Sequence, residues 1–167
     1  MAIHSFPFNI TKQLVTLTIV TAVLCLLSCK SAGHSNSTAA QSDSPLLMFQ
    51  KTPCFGSCPS YEALIYSNGS VRFVPWEHVP VTDTLTFQLS EKELQALQTD
   101  IAGLNYKNLQ NYYKTEWSDM PATHLYFYED GKEVKHIKHE EGGPEKLVMF
   151  TQKVHQLIWK HVATPDK

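Results

Sequence analysis

The stretch YEALIYSNGSVRFVPW, residues 61–76, decides the fold. Two β-type runs, 61–67 and 70–76, flank Asn68-Gly69, the preferred pair for a two-residue type I′ turn, so the segment predicts a hairpin. The same arrangement returns farther along, where 123–128 and 132–138 flank Glu129-Asp130-Gly131 and Asp130-Gly131 predicts a second type I′ turn. A short apolar strand over 46–50 precedes the first hairpin. After Pro75 and Pro80, residues 84–89 alternate weakly enough to be one more strand.

Two segments have helical periods. Ser90 and Glu93 form a capping box, with Leu89 and Leu94 placed for a hydrophobic staple. Leu94, Leu97, Ile101 and Leu104 then fall on one face, and Gly103 marks the fraying end. Gly142-Gly143-Pro144 breaks the chain before a last helix, with Pro144 at its first position and a stripe of Leu147, Phe150, Val154, Leu157, Ile158 and His161. Between them, Tyr106 to Tyr113 is aromatic and Asn-rich, a helical turn or a loop packed on the core. Hairpins plus two amphipathic helices predict an α+β domain, an antiparallel β-sheet with both helices on one face.

The 167 residues, 43% hydrophobic and 18% charged, suffice for one globular core. Organisation along the chain is expected as a signal peptide over 1–28, a tether over 29–45 and a single domain over 46–163. Removing 1–28 takes away Lys12 and leaves 13 basic against 16 acidic side chains, no excess that would draw the chain to nucleic acid.

The leader reads as an export signal: Lys12, an apolar run from Leu14 to Leu27, then Ser28 and Cys29. The uncharged run from Gln13 to Cys29 spans roughly 25 Å as a helix, short of a ~30 Å hydrocarbon core. Leu26-Leu27-Ser28-Cys29 resembles the bacterial lipobox, which implies diacylglyceryl transfer to Cys29 and cleavage before it. The membrane is then reached through a lipid anchor at Cys29, whose acyl chains contribute about 0.8 kcal/mol per buried CH₂. Lys30 to Pro45 is Ser-rich and aperiodic, a tether reaching roughly 20–24 Å. A residue other than Asp at position 30 and the lack of an acidic cluster after Cys29 place the anchor, by resemblance to Gram-negative lipoproteins, on the periplasmic face of the outer membrane.

With Cys25 discarded and Cys29 alkylated, Cys54 and Cys58 are left with each other, and in an oxidising compartment they are expected to form a disulfide closing a five-residue loop. A redox-active pair would have two intervening residues and a helix N-terminus rather than three and a strand. Zinc would need two further ligands, and the histidines form no paired motif: His136 and His139 fall on opposite faces of a strand, His155 and His161 on different sides of a helix. No metal or cofactor is expected.

Thr52-Pro53-Cys54-Phe55-Gly56-Ser57-Cys58-Pro59-Ser60-Tyr61, followed by Ile65-Tyr66 and Asn68-Gly69, resembles the opening of a domain family of unknown function common in bacterial lipoproteins. Asp119-Met120-Pro121 before a strand and Gly143-Pro144 before the last helix add to the resemblance, which covers nearly all of 46–162. It supports the fold and the disulfide and implies no catalytic residues.

Candidate chemistry is sparse. Gly142-Gly143 before a helix could cradle an anion or simply need glycine backbone angles. Asp119 could be a general base or cap a turn. Tyr106, Tyr112, Tyr113, Trp117, Tyr126 and Tyr128 could form a recognition surface or pack the core. On a strand, Tyr126, Tyr128 and His124 share one face while Leu125 and Phe127 take the other, so these three are the candidate binding surface, partly exposed or covered by the region around Tyr112. The expectation is a lipid-anchored, non-enzymatic module binding an envelope protein, peptide or glycan. The alternative is an envelope enzyme or thiol-redox accessory using Cys54 and Cys58, Asp119 or a histidine.

Overall fold

Strand formation begins where the apolar alternation does. In the computed structural model, which describes residues 44–163, Leu47 and Phe49 are fully buried and lie in a first strand, β1 (Pro45–Lys51). It is followed by β2 (Ser60–Tyr66), β3 (Ser70–Glu77), β4 (Leu85–Gln88), helix α1 (Glu91–Leu104), a 3-10 turn (Tyr106–Asn108), β5 (Tyr112–Tyr113), β6 (Thr123–Glu129), β7 (Lys132–His139) and helix α2 (Glu145–Ala163). The expectations for the leader, for Cys29 and for the tether up to residue 43 lie outside the described residues. Among the described residues no helix is long and apolar enough to cross a membrane.

The strands form one seven-stranded sheet in the order β4-β3-β2-β1-β6-β7-β5, an α+β fold. All pairs are antiparallel except β5 with β7, so the sheet is mixed rather than wholly antiparallel. A hairpin forces antiparallel pairing, whereas β5 is reached after α1 and the 3-10 turn and is free of that constraint. It holds its place through Asn111 and Tyr113 carbonyls that accept from the Lys138 and Glu140 amides at 2.8 and 2.9 Å.

Alternation along the strands sends Tyr61, Ala63, Ile65, Val71, Phe73, Leu125, Phe127 and Ile137 to one side, where they are essentially solvent-free. Both helices bury their stripes in that same core: Leu94, Leu97, Ile101 and Leu104 from α1, and Leu147, Phe150, Thr151, Val154, Ile158 and Val162 from α2. Val162 takes the buried place that the helical period assigned to His161, whose ring stacks on Phe87 at 4.7 Å instead.

The two hairpins differ in their turns. At Asp130-Gly131 both φ angles are positive (50° and 74°), the type I′ geometry. At Asn68-Gly69 only Gly69 is left-handed (83°), and its amide donates to the Tyr66 carbonyl at 2.9 Å. The connection is therefore a three-residue loop with a left-handed glycine rather than a type I′ turn. Asn68 Oδ1 accepts from the amide and hydroxyl of Ser70, holding the Asn68 backbone in that loop. Helix α1 also runs past Gly103, ending at Asn105, which takes the left-handed cap at φ 54°. Helix α2 starts at Glu145, one residue after Pro144, whose carbonyl accepts from the Leu147 and Val148 amides.

Candidate functional site

The side of the sheet away from the helices is built by the residues that alternate with the core. One row runs across six strands as Thr86, Arg72, Leu64, Met48, Tyr126 and His136. Beside it lie Val74, Glu62, Gln50, His124, Lys138 and Tyr112. The expected surface of His124, Tyr126 and Tyr128 is here on β6, all three half-buried, with Leu125 and Phe127 in the core behind them.

The rings of this face engage one another. Tyr126 stacks on His136 at 4.1 Å with 7° between planes, His124 stacks on His136 at 5.2 Å, and His124 Nδ1 lies 2.9 Å from His136 Nε2, a hydrogen bond between the two imidazoles. Burial lowers the His124 pKa, with the charges of His136 and Lys138 adding to it, and burial also lowers that of His136. Two neutral imidazoles, one donating and one accepting, fit that hydrogen bond. Burial raises the hydroxyls of Tyr126 and Tyr128, as do the carboxylates of Glu133 and Glu62, so both phenols stay protonated donors. Rings 4.1 Å apart leave no gap for a ligand, so the ladder offers its polar edges to an incoming partner.

His136 belongs to this surface and the sequence reading missed it. A two-residue turn pairing Glu129 with Lys132 would set Lys135 opposite Tyr126. The register instead shifts between Phe127 and Tyr128, leaving one extra residue in β7 and bringing His136 opposite Tyr126. The signal was in the hydrophobic pattern: only with that bulge does Ile137 face Leu125 in the core, and without it His136 would.

The remaining candidates are placed elsewhere. Tyr112 sits at the sheet edge, its hydroxyl donating to Glu140 and its ring 4.7 Å from the Lys138 ammonium, and it makes no ring contact with Tyr126 or Tyr128. Tyr106 stacks on Phe127 at 4.1 Å, on the core side. Trp117 is 73% exposed. Asp119 is exposed at φ 60°, a turn position, and lines neither the sheet face nor the cleft beside the cysteine loop. That cleft brings Cys58 together with His139 and His155, and it includes neither His124 nor Asp119. The Cys54 and Cys58 sulfurs are 2.03 Å apart, a disulfide distance. Gly143 packs against the Tyr113 ring at a positive φ, so the glycine there answers a backbone and packing need. Among the described residues no group of three or more His, Cys, Asp or Glu side chains is placed to hold a metal ion.

A comparison with curated proteins gives no match. Residues 45–158, nearly the whole described domain, match a family described as a domain of unknown function, DUF6438.

Proposed function

Since the chain belongs to the DUF6438 family, a membership that assigns no reaction, we propose that it is a lipid-tethered envelope module binding a protein partner, non-enzymatically, through the helix-free side of its sheet. The observation that carries this reading is the ladder of His124, His136 and Tyr126 next to Met48 and Leu64, an apolar strip edged with donors and acceptors on the face that neither α1 nor α2 covers. Tyrosine, methionine and arginine are the residue types enriched at protein interfaces, and Tyr126, Tyr128, Met48 and Arg72 are together here. The stacking of Tyr126 and His124 on His136 covers one face of each ring, which favours a protein partner over a glycan that would stack on them.

Anchoring rests on Leu26-Leu27-Ser28-Cys29 and the Ser-rich run after it. The site of action is the cell envelope, at the periplasmic face of the outer membrane. Palmitate labelling of cells tests this part: the label is expected on the wild-type chain and lost in Cys29→Ala, and undiminished labelling of the variant refutes it.

For the surface itself, a photo-crosslinking residue placed at Tyr128 is expected to yield a discrete protein adduct that one placed at Gln98, on the outer side of α1, does not. The adduct should disappear in a Tyr126→Ala background. Adducts that persist there, or that resist protease and yield to glycan hydrolases, contradict a protein partner at this face.

A further inference from the structure

On the helix side of the sheet the core register ends in polar residues. Leu47, Phe49 and Lys51 alternate onto the same side of β1, so Lys51 stands in a core position. Its cross-strand neighbours Tyr61 and Thr123, and His139 beyond them, extend the row. From α2, Leu147, Thr151 and His155, spaced four apart, form the ridge that covers it. The row and the ridge fail to close, leaving a cleft of about 400 Å³ lined by Lys51, Thr123, His139, Glu140, Thr151 and His155, with the Cys58 end of the cysteine loop at its rim.

Of the side-chain donors that line this cleft, those of Lys51 and His155 lack partners among the described residues, as do the Thr123 hydroxyl and the Gln152 amide. Lys51 has neither a hydrogen bond nor an ion pair among the described residues, although Glu140 lines the same cleft. Glu140 is instead engaged by Lys138 at 2.8 Å, by the Tyr112 hydroxyl and by the Thr115 amide. His155 Nδ1 lies 2.7 Å from the Tyr61 hydroxyl. That hydroxyl has no other acceptor among the described residues, so it donates to Nδ1. Burial and the nearby Lys51 lower the His155 pKa, so the ring is neutral and its proton sits on Nε2. Nε2 also has no partner. Among the described residues no fully buried side-chain nitrogen or oxygen is left unpaired, so both donors reach open space. Thr52 and Thr151 hydroxyls are already bonded to the Ala122 and Val148 carbonyls, and His139 Nε2 lies 2.8 Å from the Gly142 carbonyl.

We propose that this cleft is a receptor site for the carboxylate of a small monoanionic ligand, with the Lys51 ammonium supplying the charge and His155 Nε2–H the second donor. One cation, one neutral donor and a neighbouring carboxylate at Glu140 suit a single negative charge better than a phosphate dianion. The volume is that of an ordinary small-molecule pocket. The site lies on the opposite side of the sheet from Tyr126 and Tyr128, so it stands or falls separately from the protein-binding reading.

The test uses the full-length chain in detergent micelles and three probes: N-acetylglycine, its uncharged amide and inorganic phosphate. Histidine-ring NMR signals are followed during titration. N-acetylglycine is expected to shift His155 saturably and to raise its pKa, while the ring signals of His124 and His136, on the other side of the sheet, stay in place. The amide and the Lys51→Met variant should each bind about tenfold more weakly, the loss of one charge-assisted hydrogen bond, and Lys51→Arg should retain binding. Should Lys51→Met fail to fold, the acid–amide comparison on wild type and the His155 pKa still decide. No saturable shift at His155, equal binding of acid and amide, or tighter binding of phosphate than of N-acetylglycine overturns the proposal.

Discussion

Gly143 and Gly131 separate two demands that glycine can meet. Both have positive φ, 83° and 74°, which a side chain adopts at a cost of about 1–2 kcal/mol. A Cβ on Gly143 would also stand 2.8 Å from the Tyr113 ring, while one on Gly131 would meet nothing within 4 Å. Gly131→Ala is therefore expected to lower the urea midpoint by the backbone cost alone, and Gly143→Ala by visibly more, because Tyr113 anchors β5 and must move. Equal losses would show that the ring contact contributes nothing. At this scale the sequence was legible where a residue acts through its own backbone, as at Asp130-Gly131. Where a residue acts through a distant neighbour it was not. Nothing near Gly143 in the chain announces Tyr113, and nothing near Tyr61 announces His155. Lys51 was the exception that could have been read, since it continues the alternation of Leu47 and Phe49 into the core.

Helix α1 was legible almost entirely because its signals are local. Ser90 Oγ accepts from the Glu93 amide at 3.3 Å and Glu93 accepts from the Ser90 amide at 2.9 Å, the capping box anticipated from two letters. What the letters left hidden is that Glu93 also joins the two helices, meeting Lys160 at 2.7 Å and His161 at 3.3 Å. Burial alone would raise its pKa, and the bonds from Lys160 and Ser90 outweigh that and hold it at about 2. Ser90→Ala is expected to destabilise the domain by about 1 kcal/mol in denaturant melts. Glu93→Ala should cost more, since it removes the box and the link to α2 together. If the two variants lose the same amount, the interhelix contact is idle. The hairpins were legible as elements through their turn residues, and the Asn68-Gly69 turn type was not, because the Asn68 side chain bonds to Ser70 and stabilises a different loop. Strand β5 was illegible for a plainer reason: two residues have no period, and its parallel partner lies at Lys138 and His139.

Across the whole domain, the resolved histidine shifts have one sign. His124, His136 and His155 are all lowered from 6.5, chiefly by burial. The unfolded chain then takes up protons before the folded one as pH drops through 6.5, so the stability these neutral rings contribute is complete above that value and declines below it. Melting temperature is expected to fall by a few degrees between about pH 7.5 and about pH 5.5, and by less in a His124→Gln/His136→Gln variant. A flat or rising profile would show that the three rings are not held neutral. Glu93, lowered from 4.5 to about 2, adds a second decline below 4.5. The helix-side core and the α+β class followed from pattern; the two faces, each with its own cluster, did not, because strand order is not written in any one segment. That order has a consequence in time. β1 leaves the ribosome ahead of every other strand yet lies mid-sheet, with β2 on one flank and β6 on the other. Its first flank is satisfied as soon as residue 66 has emerged, and its second waits until Thr123–Glu129 is made. For that interval a strand destined for the interior offers an open edge of amides and carbonyls, a template for wrong partners. A chaperone, or rapid completion of the chain, is therefore expected to matter most for the strand that ends paired on both flanks.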